Sequence, residues 1–167
     1  MYQMQAYFDC LIYRASLSDE QKSDIEEILS TAESIYRTSI SEIYFQLKAK
    51  YIAFIEKDKD KALQVLNDGL DQFKNSFYIH KDYFDICRRY GDRRGMESAY
   101  SNLKKIANME NAKDSIALLC RNAYLSAAQG KTKVAIELML KTGSSNLTES
   151  AIENIMIHVE KVINKQR

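Results

Sequence analysis

Apolar residues recur along this chain at the three- and four-residue spacing that places them on one face of a helix. In the first segment, Met4, Phe8, Leu11, Ile12 and Ala15 share such a stripe. Strict alternation of apolar and polar residues, the pattern of a half-buried strand, is missing from the sequence. The pattern therefore predicts an all-α protein of about nine helices, over residues 2–15, 18–37, 40–56, 60–73, 76–90, 92–109, 114–130, 131–141 and 148–165.

Polar residues at the segment boundaries predict where these helices begin and end. Three pairs match the capping box, in which Ser, Thr or Asn precedes Glu or Gln by three residues: Ser18–Gln21, Ser39–Glu42 and Asn146–Glu149. Aspartates suit the starts of the fourth, sixth and seventh helices: Asp58 or Asp60, Asp92 and Asp114. Glycines that suit a left-handed residue follow three helices: Gly91, Gly130 and Gly143.

An internal repeat is visible when the segments around Ala62, Met96 and Ala135 are aligned with one another. Each segment contains a helix, a short polar turn and a second amphipathic helix, with the turns at 56–60, 90–93 and 129–132. The spacing is 34 residues from Ala62 to Met96 and 39 from Met96 to Ala135, and linker 108–114 accommodates the five additional residues. A single helix pair cannot bury both apolar faces, so the repeat predicts neighbouring pairs that stack and share a core.

On these residues the chain resembles the tetratricopeptide repeat (TPR) family, and also the half-a-TPR and pentatricopeptide classes. The third unit matches best, with Ala123, Gly130, Ala135 and Met139 at the small and large positions. The middle unit has Gly91, Asp92 and Tyr100, but Met96 stands where the family usually has alanine. The first unit has Ala62, but Lys57 stands where glycine belongs, and none of the units has the closing proline.

The resemblance covers about 100 of the 167 residues and implies a fold. That fold is a right-handed α-solenoid of antiparallel helix pairs, in which residues 1–167 form a single TPR-like domain. The repeat units would be 40–74, 76–109 and 114–142, preceded by a divergent N-terminal hairpin, 1–38, and followed by a C-terminal capping helix, 147–166.

Composition narrows the class of protein further. With 46% hydrophobic and 28% charged residues the chain is globular rather than disordered, and its net charge of +1 gives no global attraction to nucleic acid or anionic membranes. Cys10, Cys87 and Cys120 are odd in number and widely spaced, which predicts three small buried hydrophobic residues in a reducing compartment. Because the sequence shows neither a secretory signal nor a long apolar run, we expect a cytoplasmic protein with no membrane association.

The helical periodicity begins almost at Met1, which favours a chain cut from a larger protein of which this part is the sensor or scaffold.

The sequence offers little support for catalysis. His80 and His158 lie 78 residues apart, and neither has a His, Cys or Asp at the spacing of metal ligands. No phosphate-binding, dinucleotide-binding or nucleophile-elbow motif occurs. We therefore expect a protein that is not an enzyme and that has no cofactor and no metal site.

In TPR arrays the first helices of successive units line a concave groove, and the resemblance assigns residues to it. The first unit would contribute Tyr44, Leu47, Tyr51 and Phe54, the middle unit Tyr78, Lys81, Asp85, Arg88 and Arg89, and the last unit Ala117, Cys120, Arg121, Tyr124 and Ala128. The first set is so apolar that cover by the N-terminal hairpin or by a partner is expected. The TPR two-carboxylate clamp is rejected, because its positions hold Leu47, Tyr51, Asp82, Ala117 and Arg121.

These residues predict a non-catalytic protein-interaction module that binds a peptide or helix of a partner. The expected partner-binding residues are tyrosines as anchors and basic residues for an acidic element: Tyr78, Lys81, Arg88, Arg89, Arg121 and Tyr124. For the arginines of 88–94 the sequence favours an internal role, in which they neutralise Asp82, Asp85 and Asp92 or interact with the dipole at the C-terminal end of the fifth helix. A further alternative is RNA or single-strand binding through Arg88, Arg89, Arg93, Arg94, Lys104 and Lys105, against which the near-neutral charge argues.

A homodimer is as compatible with the sequence as a monomer.

Overall fold

The computed structural model describes residues 2–14, 16–39, 41–143 and 149–164. Over these ranges the chain forms nine α-helices and one short π-helix, and no strand is present in them. The helices are α1 (Tyr2–Ile12), α2 (Asp19–Ser39), α3 (Ile43–Tyr51), the π-helix (Ile52–Glu56), α4 (Lys59–Gln72), α5 (Phe77–Arg89), α6 (Arg93–Ile106), α7 (Ala112–Ala128), α8 (Thr132–Leu140) and α9 (Glu149–Asn164). The all-α prediction is confirmed.

Several helix starts follow from local hydrogen bonding as the sequence predicts. The Gln21 N–H donates to Ser18 Oγ over 3.2 Å, and the Ser18 N–H donates to Gln21 Oε1 over 3.1 Å. This reciprocal pair is the capping box that begins α2. Asp58 accepts a hydrogen bond from the Lys61 N–H, and Asp92 accepts one from the Gly95 N–H, so both predicted aspartate caps are confirmed.

Two predicted starts are wrong. Ser39 lies in the last turn of α2, where its hydroxyl donates to the Ile35 carbonyl, so it cannot cap α3. Asp114 lies in the first turn of α7 and accepts from the Asn108 N–H across the preceding turn. The N-cap of α7 is Asn111.

The predicted Asn146–Glu149 box includes Asn146, which is outside the described residues.

The turns share one backbone conformation at one place in each repeat. Gly91 and Gly130 have φ of +67° and +77°, and Lys57 has φ of +60°. Each of these left-handed residues stands five positions before the small or apolar residue that aligns the three units. Lys57 therefore adopts the conformation that glycine adopts most easily, at the position where the repeat lacks its glycine. Gly143, at which the eighth helix was predicted to stop, has φ of +64°.

The chain divides into two compact units, Met1–Asp82 and Tyr83–Arg167, and the boundary falls inside α5. That both belong to a single domain stays a prediction. In the first unit α1 and α2 cover α3 around a core of Phe8, Leu11, Ile12, Ile25, Ile28, Ala32 and Leu47. Tyr44, Tyr51 and Phe54 pack against this core. The N-terminal hairpin therefore covers these apolar residues of the first repeat unit, which is one of the two expected ways of burying them.

A constant register relates α1 to α3. Three contacts join residues 41 positions apart: Gln5 to Gln46, Asp9 to Lys50, and the ring of Tyr13 to that of Phe54. Because the contacting residues advance in the same direction along both helices, α1 and α3 run parallel. Cys10 is exposed, so the prediction that it is buried is wrong, because it lies on the opposite side of α1 from Phe8.

In the second unit α7 packs against α6, α8 and α9, and α8 also packs against α9. Small residues permit this close packing, since Ala123, Ala127 and Ala135 are completely buried. The larger Met96, Leu103 and Met156 are completely buried as well and fill the remaining space. Thr132 at the start of α8 donates to Glu160 of α9 over 2.6 Å.

Candidate partner-binding site

In the second unit α5 and α7 bring together three of the six residues expected to bind a partner. The guanidinium carbon of Arg88 lies 4.5 Å above the ring centroid of Tyr124, a cation–π contact. Arg121 forms a salt bridge with Asp85. Both contacts join residues 36 positions apart, so α5 and α7 run parallel with these side chains on their facing sides.

The Arg121 side chain is nine-tenths buried and has several partners. Besides the salt bridge, Nη1 donates to the Ala117 carbonyl over 3.2 Å, and the guanidinium carbon lies 5.8 Å from the Phe84 ring centroid. Asp85 therefore balances the charge of Arg121 within the protein. The sequence offered Asp85 as an internal partner for the arginines of 88–94, whereas the structure pairs it with Arg121.

The Nε atoms of Arg88 and Arg121 are both buried, and neither has a hydrogen-bond acceptor among the described residues. A buried donor without an acceptor costs about 1–3 kcal/mol, and more when the group is charged. Both atoms are shielded from solvent, so an oxygen ligand could reach them only if the surrounding side chains moved.

The remaining expected residues are placed differently. Tyr78 and Lys81 belong to the part of α5 in the first unit, where Tyr78 is half exposed and Lys81 Nζ lies 5.6 Å from its ring centroid. Arg89 is exposed at the end of α5.

The basic cluster considered for nucleic acid is partly occupied by internal contacts. Arg93 Nε donates to Glu97 Oε1 over 2.9 Å, and this hydrogen bond from Arg93 lowers the pKa of Glu97. Arg88 lies against Tyr124, as described above. The exposed members are Arg89, Arg94, Lys104 and Lys105.

Cys120, His80 and His158 have side chains of the types that act as nucleophiles or metal ligands. Burial raises the pKa of the half-buried Cys120 thiol, so the less nucleophilic protonated form predominates at neutral pH. Burial lowers the pKa of His80, and His158 is exposed on α9. Within the described ranges no group of three or more His, Cys, Asp and Glu side chains is arranged to hold a metal ion.

A buried charged cluster in the first unit was missed by the sequence reasoning. Lys50 Nζ lies 2.8 Å from an Asp9 oxygen and 3.5 Å from an Asp82 oxygen, and its side chain is only 6% exposed. Burial disfavours the ammonium, but the charges of Asp82 and Asp9 outweigh this effect and raise the pKa of Lys50. The sequence contained a signal for the burial of Lys50, because this residue falls on the same helical face as Leu47 and Phe54.

A cavity of about 350 Å³ opens between α2, α3 and the π-helix. Tyr44 and Tyr51 lie along it, and Lys48 Nζ donates to the Tyr44 hydroxyl over 2.7 Å. Glu56 on its rim forms a salt bridge with Lys61 over 2.8 Å. Within this cavity, Glu56 and Lys61 thus neutralise each other.

Comparison with protein-family models, with curated proteins and with solved structures finds no match to this chain. In the part of the chain that the structure describes, none of the helices combines the length and apolarity required to span a bilayer.

Proposed function

We propose that this chain is a non-catalytic protein-interaction module with a right-handed, TPR-like α-solenoid fold. The parallel register of α1 with α3 in the first unit, and of α5 with α7 in the second, supports stacked helix pairs over an up-and-down bundle. The left-handed residues at equal positions in three units support the same repeat. C-terminal α9 packs on α7 and α8, as a capping helix would.

The module binds an acidic peptide or helix of a partner protein on the face formed by α5 and α7. The observation that carries this proposal is the contact of half-buried Arg88 with the Tyr124 ring, 4.5 Å from its centroid, next to exposed Arg89. A carboxylate supplies two acceptor oxygens and matches the fork of donors on a guanidinium group. Tyr124 holds Arg88 in place, and exposed Arg89 adds a second cation next to it.

A peptide-display selection tests this function. Immobilised wild-type protein is screened against a library of random 16-residue peptides, and enriched sequences are compared with those from Arg88→Ala/Arg89→Ala. Lys104→Ala/Lys105→Ala, which removes two exposed charges from α6, is the matched control. We expect acidic peptides to be enriched by the wild type and the control but not by the arginine variant. Equal enrichment by all three proteins would refute the assignment.

Single-strand nucleic acid is the second candidate, and one observation favours it. Residues 83–167 contain 14 Lys and Arg against 9 Asp and Glu. Their net charge is therefore +5, although the net charge of the whole sequence is close to zero. Fluorescence anisotropy with an oligouridine at two salt concentrations decides between the candidates. Nucleic-acid binding should weaken steeply with salt and should be reduced by both double variants, because each removes phosphate-binding cations.

A further inference from the structure

The two compact units carry opposite charge. Residues 1–82 contain 14 Asp and Glu against 10 Lys and Arg, a net charge of −4, whereas residues 83–167 have the net charge of +5 given above. Opposite charges on one chain attract the complementary surfaces of another copy of that chain. The net charge of +1 for the whole protein conceals this asymmetry.

The negative surface includes a groove on the N-terminal hairpin. A cavity of about 360 Å³ lies along α1 and α2 and is lined by Met4, Tyr7, Asp24, Glu27, Ile28 and Thr31. The Tyr7 hydroxyl donates to Asp24 over 2.6 Å, which holds the tyrosine at the groove edge, with nearly half of its surface exposed. The groove thus combines apolar side chains with two carboxylates and no basic side chain.

The positive unit presents a helix face of complementary character. Val134 and Leu140 of α8 are each 46% exposed, which is high for aliphatic residues of this size. Lys133 and Leu140 are seven positions apart, as are Val134 and Lys141, so each exposed lysine shares one side of α8 with one of these residues. Exposed Glu137 lies between the two sides. The opposite side of α8 is buried through Ala135 and Met139. The exposed face of α8 therefore combines two aliphatic residues and two lysines around a single carboxylate.

We propose that the exposed face of α8 in one copy docks in the α1–α2 groove of a second copy. Val134 and Leu140 would contact the apolar part of the groove, and the two lysines would lie near Asp24 and Glu27. The interface joins two different surfaces, so the association is head-to-tail and can continue beyond a dimer. One helix face buries less area than a standard stable interface, so the association is weak, reversible and dependent on salt.

Sedimentation velocity over a range of protein concentrations tests the association. At low ionic strength the weight-average sedimentation coefficient of the wild type should rise with concentration, and the dissociation constant should increase about tenfold or more in high salt. A protein that remains monomeric at low ionic strength up to the highest soluble concentration would overturn the proposal.

A mixing experiment identifies the surfaces. Glu27→Lys is designed to abolish binding by the groove, and Leu140→Glu to abolish binding by the α8 face. Both positions are exposed, so far-UV circular dichroism should show unchanged folding. Each variant alone should be monomeric, whereas an equimolar mixture retains one intact interface and should form dimers and nothing larger. Lys104→Glu on α6 is the control and should associate as the wild type does. Association by either variant alone, or a monomeric mixture, contradicts the assignment.

Discussion

The Lys50 cluster allows the energetic reasoning to be tested in detail. Lys50→Met retains the length of the side chain and removes its ammonium group. The Asp82 side chain is 2% exposed, so its carboxylate would stay buried without the cation that lies 3.5 Å away. Removing one partner of a buried ion pair typically costs about 3–5 kcal/mol, because the other charge is left in a poorly solvated site. We expect the free energy of unfolding to fall by that amount.

Two variants separate this effect from general damage to the core. Asp9→Asn breaks the 2.8 Å contact on the more solvated side, where the carboxylate is 37% exposed, and should cost about 1 kcal/mol or less. Lys50→Met/Asp82→Leu removes both buried charges, and apolar replacement of a buried pair is close to neutral. The double variant should therefore recover most of the stability that Lys50→Met loses.

Urea unfolding followed by far-UV circular dichroism at neutral pH measures these differences, provided that the slope with denaturant is the same for all variants. The interpretation would be refuted by a loss below about 1 kcal/mol for Lys50→Met, since removing one partner of a buried ion pair costs more than that. It would also fail if the double variant were less stable than Lys50→Met.

Three further predictions concern the turns and the core. Lys57→Gly should raise the free energy of unfolding by about 1 kcal/mol, because Lys57 has φ of +60° and the left-handed conformation costs a non-glycine residue about 1–2 kcal/mol; an unchanged urea midpoint would contradict this. Gly95→Ala should destabilise by about 1–3 kcal/mol, although alanine usually favours a helix, because its Cβ would overlap Cys87 Sγ. The same substitution in a Cys87→Ala background should be tolerated, and equal losses in both backgrounds would show that the overlap is unimportant. Burial lowers the pKa of His80, so its contribution to stability is complete above its unfolded pKa of about 6.5 and is lost as the pH falls through the folded value. Thermal melting from neutral to mildly acidic pH should show this loss in the wild type and a smaller one in His80→Gln.

Local signals in the sequence predicted the helices and most of their ends. Ser18, Asp58 and Asp92 cap as expected because an N-cap bond involves residues two or three positions apart, and no distant contact is needed to form it. Ser39 failed because the same hydroxyl can bond backward to a helical carbonyl or forward to a new helix, and the sequence does not rank these two bonds.

Three of the six expected site residues lie together in the structure, but the sequence did not predict their pairing. The resemblance to TPR arrays assigned Arg88, Arg121 and Tyr124 to the groove side of the first helices. It gave no offset between α5 and α7, so it could not distinguish Asp85 as the partner of Arg121 from the other acidic residues nearby.

By itself, the amino-acid sequence determined the helical class, the approximate length of each element and the turns at Gly91 and Gly130, because hydrophobic periodicity and capping act within a few residues. Only the tertiary structure decided the register between neighbouring helices, and with it the buried position of Lys50, the contact of Arg88 with Tyr124 and the cover that α1 provides for α3. Register depends on how side chains of distant segments interlock, and a one-turn shift along a helix preserves the apolar stripe while it exchanges every polar partner.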